Sequence, residues 1–415
     1  MMPKEMYIAN REKLEEYLQD HSICLVHSGN PKEYSHDETY PFEPYRNFLY
    51  LTGYDRSSSL LFIYKEGGTV QETLFIHVPT PLEQRWSGVR FNVNTIREMT
   101  GIARIADINT FDSYVSRIMS SSTISHCYID LEKRSVNTAP DGIEGILSRL
   151  TAAYPWLSVH NCFPFTAKMR TIKHAPEIEA HRKAVNITRD AVRNMLTHIR
   201  PGMYEYEIEA YYDFVLKSNG VKVPAFPTIA ASGQNANYMH YSANNCRTEE
   251  GQLILFDLGA RWDYYCADVS RTYPVSGKFS ERQKQLYTVV LNGLKAAEEA
   301  AKPGVRKDEL QILSKNVMAK QLVQIGKIEK EEDIAKYYFH GSGHNIGLDT
   351  HDAGDHDLIL EKDLMFTLEP GLYFDDEGFG IRIEDTLLVT EDGVEILSDS
   401  IPKEIEEIEE IMKNN

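Results

Sequence analysis

LILFDLGARWDYYCADVSRTYPV, residues 253–275, decides the fold of the C-terminal half. Leu253, Leu255 and Asp257 alternate with Ile254, Phe256 and Leu258, so the segment reads as a strand apolar on both faces. The run Arg261-Trp262-Asp263-Tyr264 can turn the chain. Cys266, Asp268, Ser270 and Thr272 then share one face of the returning strand. A turn centred on Trp262 and Asp263 sets Asp257 opposite Asp268. Directly paired residues have Cβ atoms roughly 4.5–5.5 Å apart. Two carboxylates that close destabilise each other unless a cation lies between them.

The same pattern recurs in MFTLEPGLYFDDEGFGIRIEDTLLVT, residues 365–390. Glu369 and Glu384 flank the turn-like run Asp375-Asp376-Glu377-Gly378, and a symmetrical hairpin opposes them, although Pro370 cannot donate to a ladder. His344 lies in the glycine-rich HGSGHNIGLDTHD, residues 340–352. A single strand carboxylate is ordinarily a solvated or paired charge. Four beside strongly apolar neighbours are different, because burying unpaired carboxylates costs several kcal/mol or shifts their pKa. Four carboxylates and one imidazole suit two hard or borderline divalent ions such as manganese, cobalt or zinc. Such a pair can activate water at neutral pH and polarise a carbonyl, so the pattern predicts a hydrolase.

Hydrolysis also needs proton transfer and oxyanion stabilisation. His240, His340 and His351 are the candidate groups. Gly341, Gly343 and Gly347 suit backbone that passes close to a metal or substrate, or a purely structural turn. Arg382 shares a strand face with Glu384 and either neutralises excess carboxylate charge or meets the substrate. Tyr373 is a site candidate with packing as the alternative. Cys266 reads as a small buried apolar residue rather than a ligand.

A chain of 415 residues predicts two domains. The net charge, 44 − 62 = −18, disfavours nucleic acid or an anionic membrane as partner and is compatible with a cationic peptide terminus. No stretch reaches the roughly 18 apolar residues of a membrane span, and the first residues lack a signal-peptide core. Five cysteines without a CxxC fit reduced thiols in the cytoplasm.

Strand-like runs at NFLYLTGY, SLLFIY, ETLFIHVP, HCYIDL and LSVHNCF, with helical stretches between them, predict an α/β first domain. FPFTAKMRTIKHA, residues 163–175, lacks periodicity, and the boundary is set near residue 168. Helices are expected at 10–20, 176–198, 204–219, 280–301 and 306–325.

The order Asp257, Asp268, His344, Glu369, Glu384, with HGxGHxxGLxxHD, TLEPGLY and GIRIED around the last three, resembles the pita-bread metallopeptidases, closest to their Xaa-Pro aminopeptidase (aminopeptidase P) and prolidase group. IRPGMYEYEIE and FPTIAASGQNANYMHY extend the likeness through the second half. YPFEPYRNFLYLTGYDRSSSLLFIY and RWSGVR extend it through the first. The resemblance implies an α/β (α+β) chain: an aminopeptidase P-type N-terminal domain over 1–168, then a catalytic domain over 169–415 with pseudo-two-fold symmetry. It implies two divalent ions, manganese first, on Asp257, Asp268, His344, Glu369 and Glu384. By the same resemblance His240 and His351 are expected to contact the scissile peptide, His340 to line the proline side, and Tyr373 to belong to the active site. Arg382 stands near the metals, and Glu369 handles the proton of the bridging water. The expected substrate has proline second, and the expected assembly is a homodimer or homotetramer. Trp86 matches the family's W-x-G-x-R element, which in related oligomers approaches a neighbouring site; read alone, it is a core residue.

Three rivals remain. A prolidase shares the metals and the bond but takes dipeptides only. Methionine aminopeptidase shares the ligand order, but the large N-terminal domain opposes it. A metal-free, inactive peptide-binding relative is opposed by five intact ligand positions.

Overall fold

The computed structural model describes residues 2–88, 91–133, 135, 137, 142–341, 343–354 and 359–414. They form two compact units, Met1–Arg170 and Thr171–Asn415.

The first unit runs α1 (Lys4–Tyr17), β1 (Ser22–His27), α2 (Arg46–Thr52), β2 (Leu60–Glu66), β3 (Thr69–Ile76), α3 (Pro81–Ser87), α4 (Val93–Thr100), β4 (Ile105–Asp107), α5 (Phe111–Ser121), β5 (His126–Ile129), α6 (Gly142–Ala153), β6 (Ser158–Asn161) and α7 (Phe163–Met169). Among the described residues its sheet has the order β4-β3-β2-β1-β5-β6. The pairs β1–β2 and β2–β3 are antiparallel, the second a hairpin and the first joined through α2; the other three pairs are parallel and need helical crossovers. Ile23, Leu25, Phe62, Phe75 and Phe111 fill the core between sheet and helices.

Two expectations change here. NFLYLTGY is the buried helix α2, not a strand. An apolar run without period cannot separate the two, and Gly53 ends the helix at φ 67, its N–H on Leu49 O. Residues 163–169, part of the stretch without strong periodicity, form the short helix α7. Trp86 is 85% exposed on α3, so it is not a core residue. Val89 and Arg90, which complete RWSGVR, lie outside the described residues, as does Ser342.

The second unit runs α8 (Ala175–Leu196), α9 (Glu205–Ser218), β7 (Ile229–Ser232), β8 (Leu253–Leu258), β9 (Arg261–Trp262), β10 (Tyr265–Cys266), β11 (Val269–Pro274), α10 (Glu281–Ala300), α11 (Lys307–Gln324), β12 (Met365–Leu368), β13 (Gly371–Phe374), β14 (Phe379–Arg382), β15 (Asp385–Val389), β16 (Val394–Ile396) and α12 (Ile405–Ile411). A helix pair followed by a three-stranded sheet occurs twice: α8–α9 with β11-β8-β7, and α10–α11 with β12-β15-β16. This duplicated arrangement is the pita-bread fold. The four long helices lie where expected because their signals are local. Ala184, Val185, Ala191, Val192 and Met195 make one buried stripe of α8. Ser280 caps α10, accepting from Gln283 N at 3.2 Å while Gln283 Oε1 accepts from Ser280 N at 2.8 Å. No helix among the described residues is long and apolar enough to cross a membrane.

The two hairpins carry the acidic residues, with one register as expected and one displaced. Leu368 pairs with Asp385 and Gly371 with Arg382, so a single register runs through the interruption and sets Glu369 across from Glu384. Pro370 takes part only as acceptor, from Ile383 N at 3.3 Å. In the first hairpin the direct partner of Asp257 is Ser270, not Asp268. The turn centres on Asp263 and Tyr264, both in the left-handed region at φ 48 and 73, one residue later than expected. Asp268 is therefore a diagonal neighbour of Asp257 on the same face.

Candidate metal centre and substrate cavity

β8, the residue before β11, the 340–352 loop and the second hairpin meet at a cavity of about 660 Å³. Its lining includes Asp257, Asp268, His344, Glu369 and Glu384, together with His240, His340, His351 and Arg382. Asp268 and Glu384 are buried, at 4% and 1% exposure. One ligand atom each from Asp268, His344 and Glu384 lies within 4.8 Å of the others. His344 Nε2 is 3.3 Å from Asp268 Oδ2 and 3.8 Å from Glu369 Oε1. Its Nδ1 is 3.0 Å from Asn345 O. A proton on Nδ1 donated to that carbonyl leaves the Nε2 lone pair facing the carboxylates, the tautomer a metal ligand needs.

Burial pushes the Asp268 carboxyl well above its usual range, and the charges of Asp257 and Glu369 push it further. Burial does the same to Glu384, reinforced by Asp268 and Glu369. Burial also raises Glu369, against the pull of His344 and Arg382. Among the described residues that line the cavity, Arg382 carries the one guanidinium or ammonium group. It donates from Nη2 to Asp257 Oδ2 at 2.7 Å and from Nε to Ser270 Oγ at 2.7 Å. Ser270 Oγ donates in turn to Glu384 Oε2 at 2.9 Å. Asp257 Oδ1 and Glu384 Oε1 remain buried without a hydrogen-bond partner. Carboxylate oxygens left unpaired beside an imidazole nitrogen, with one arginine against four acids, are a donor set that fits divalent cations.

A second chain of contacts leads away from this cluster. Arg382 Nη1 donates to Tyr373 Oη at 3.1 Å, and Tyr373 Oη lies 2.8 Å from His340 Nε2. Burial, then the Arg382 charge, lowers His340 to about 4. Burial raises Tyr373 to about 12. Neutral His340 therefore gives its Nδ1 proton to Gly341 O and accepts the tyrosine proton at Nε2. Tyr373, expected at the substrate, is 3% exposed and is not among the cavity-lining residues; its hydroxyl is held beneath His340 and Arg382. His351 is exposed, its ring centroid 4.1 Å from that of His344. His240 is exposed on the loop between β7 and β8. Cys266 packs with Ile178, Ile346, Met365 and Leu388, away from the cavity lining. Ser270, which joins Arg382 to Glu384, was not singled out by sequence reasoning, although its place on the Asp268 face was a usable signal.

Residues 179–391 match the model of metallopeptidase family M24, and residues 7–128 match the aminopeptidase P N-terminal domain. The chain is 30% identical over 432 residues to a Xaa-Pro aminopeptidase of Haemophilus influenzae, covering 99% of this chain and 98% of that protein. A Bacillus anthracis structure assigned to aminopeptidase P superposes with a TM-score of 0.98 at 41% identity, covering 100% of this chain and 99% of that one. Zinc-substituted Escherichia coli aminopeptidase P in complex with product superposes with a TM-score of 0.91 at 28% identity, covering 99% of this chain and 98% of that one. The chain belongs to metallopeptidase family M24, in its aminopeptidase P and prolidase group, and is a metallo-aminopeptidase.

Proposed function

We propose that the protein is a Xaa-Pro aminopeptidase that hydrolyses the bond between an N-terminal residue and a penultimate proline. Its working metals are proposed to be two divalent ions, manganese by preference. The observation that supports this best is the convergence of four carboxylates and His344 Nε2 on one cavity, with unpaired oxygens on Asp257 and Glu384. Asp257 and Asp268 would hold one ion and His344 the second, with Glu369 and Glu384 completing both shells. Bound there, the ions supply an activated water at neutral pH and polarise the scissile carbonyl.

The side chains do the rest. Glu369, whose affinity for a proton is raised by burial, takes a proton and delivers it to the leaving prolyl nitrogen. His240 and His351, exposed at the cavity, hold the scissile peptide and its developing oxyanion. His340, kept neutral, offers its ring to the proline side, with Tyr373 and Arg382 fixing its orientation. Proline contributes no amide N–H, so a pocket that reads the ring instead of that N–H can prefer it. The acidic cavity also suits the substrate's free amino terminus. The reaction is assigned to residues 169–415, with 1–168 as the aminopeptidase P-type domain of a cytoplasmic homodimer or homotetramer.

The test is metal content by elemental analysis, together with hydrolysis of Ala-Pro-Ala, Ala-Ala-Ala and Ala-Pro. Release of alanine from Ala-Pro-Ala by metal-loaded protein, with Ala-Ala-Ala much poorer, is expected. Cleavage of Ala-Pro alone would mark a dipeptidase. A protein that neither takes up metal nor cleaves would be the inactive binding relative.

A further inference from the structure

Glu205 opens α9 and is completely buried. A buried carboxylate is costly unless its oxygens are fully hydrogen-bonded. Here five neutral donors converge on it. Oε1 accepts from Ser232 N at 2.7 Å, Ser232 Oγ at 2.7 Å and Asn235 Nδ2 at 3.1 Å. Oε2 accepts from Tyr241 Oη at 2.7 Å and Cys246 N at 2.9 Å. The Glu205 backbone N–H adds a bond to Cys246 O at 3.0 Å.

None of those donors belongs to α9. They come from both ends of the segment 232–246, which leaves β7 and returns toward β8. Met239, His240 and Ser242 of the cavity lining lie on that segment. Its return is fixed a second time at Asn244, where φ is 43. Asn244 Oδ1 accepts from Ala230 N at 3.0 Å, and Nδ2 donates to Thr228 O and Glu209 Oε2, both at 2.8 Å. The loop is thus tied to α9 at Glu205, which takes five of its hydrogen bonds, and at Glu209, which takes one, and Tyr241, a Glu205 tether, is the residue next to His240.

We infer that Glu205 is a positioning residue for His240: it fixes the 232–246 loop and, through it, the imidazole at the cavity. The inference rests on the reading of His240 as a substrate contact.

The test is a double-mutant cycle on metal-loaded protein with Ala-Pro-Ala as substrate. Glu205→Gln keeps the size but turns an amide NH₂ toward donors that need an acceptor. It should leave metal content unchanged and lower kcat on the order of 10-fold to 10²-fold, the scale of a mispositioned group. In a His240→Ala background the same change should cost less than about 2-fold, because coupled sites are not additive. Tyr241→Phe removes one tether without disturbing the rest; it should lower kcat a few-fold, again only while His240 is present. It carries the test if Glu205→Gln does not fold. An equal loss in both backgrounds, or no loss at all, overturns the inference. If His240→Ala alone leaves kcat unchanged, the reading of His240 itself fails and the inference falls with it.

Discussion

Replacing Arg382 by methionine separates charge neutralisation from substrate contact at the candidate metal centre. Methionine keeps a long unbranched side chain but removes all three hydrogen bonds, to Asp257, Ser270 and Tyr373. Ser270 can rotate, and Tyr373 keeps His340 as a partner, so most of the cost falls on Asp257. Removing one member of a buried ion pair typically costs ~3–5 kcal/mol. The Asp257 side chain is 18% exposed, so water offsets part of that and the lower end applies. For a unit of this size each kcal/mol moves Tm by about 2–4 °C, so metal-free protein should lose roughly 6–12 °C. Divalent ions supply positive charge to the same carboxylates, so the manganese-loaded variant should lose clearly less.

The loss should also grow with pH. Asp268, Glu369 and Glu384 already bind protons above the usual carboxylate range, and those protons mute the missing charge at low pH. Calorimetry of wild type and variant, with and without manganese, at pH 5.5 and 8 reads all of this. A Tm loss that is the same with and without metal would show that Arg382 does not serve as the counter-charge of the cluster.

Four further outcomes follow from the same geometry. His344→Ala should weaken metal binding, with activity partly restored by excess manganese or cobalt. His351→Ala should keep its metal and lose on the order of 10²–10³ in kcat without rescue; the opposite rescue pattern would exchange the two roles. Peptides with proline second should be cleaved and their alanine counterparts much more slowly, and equal rates would mean that the pocket does not read the ring. Finally, the raised carboxyls bind more protons folded than unfolded at pH values above the usual carboxylate range, so metal-free stability should fall as pH rises there. Metal loading should remove that slope and release protons to the buffer, measurable by titration calorimetry; metal uptake without proton release would contradict the raised state of Asp268 and Glu384.

What could be read from the chain depended on whether the deciding interaction was local. Glu369 and Glu384 could be paired because Asp375–Gly378 marks a turn with little ambiguity, and the ladder keeps its register through Pro370. Asp257 was paired wrongly because Trp262-Asp263-Tyr264-Tyr265 offers no glycine to mark the left-handed turn. Asp263 and Tyr264 adopt positive φ under the demands of the flanking strands. NFLYLTGY failed for a related reason: a run buried on every side carries no period, and only the contacts around it decide between helix and strand.

Glu205 shows the limit most clearly. In MYEYEIE it stands two residues from Glu207, and either is an ordinary acid for the first turn of a helix. Glu207 behaves that way, its Oε2 accepting from Tyr204 N at 2.7 Å. Glu205 differs only in facing inward, where partners 27 to 41 residues downstream meet it. Helical spacing states that the two acids point in different directions, but not which direction holds the loop. That choice is made by where β7 and β8 bring the 232–246 segment, so the residue tied to the neighbour of His240 becomes visible only once the sheet is built.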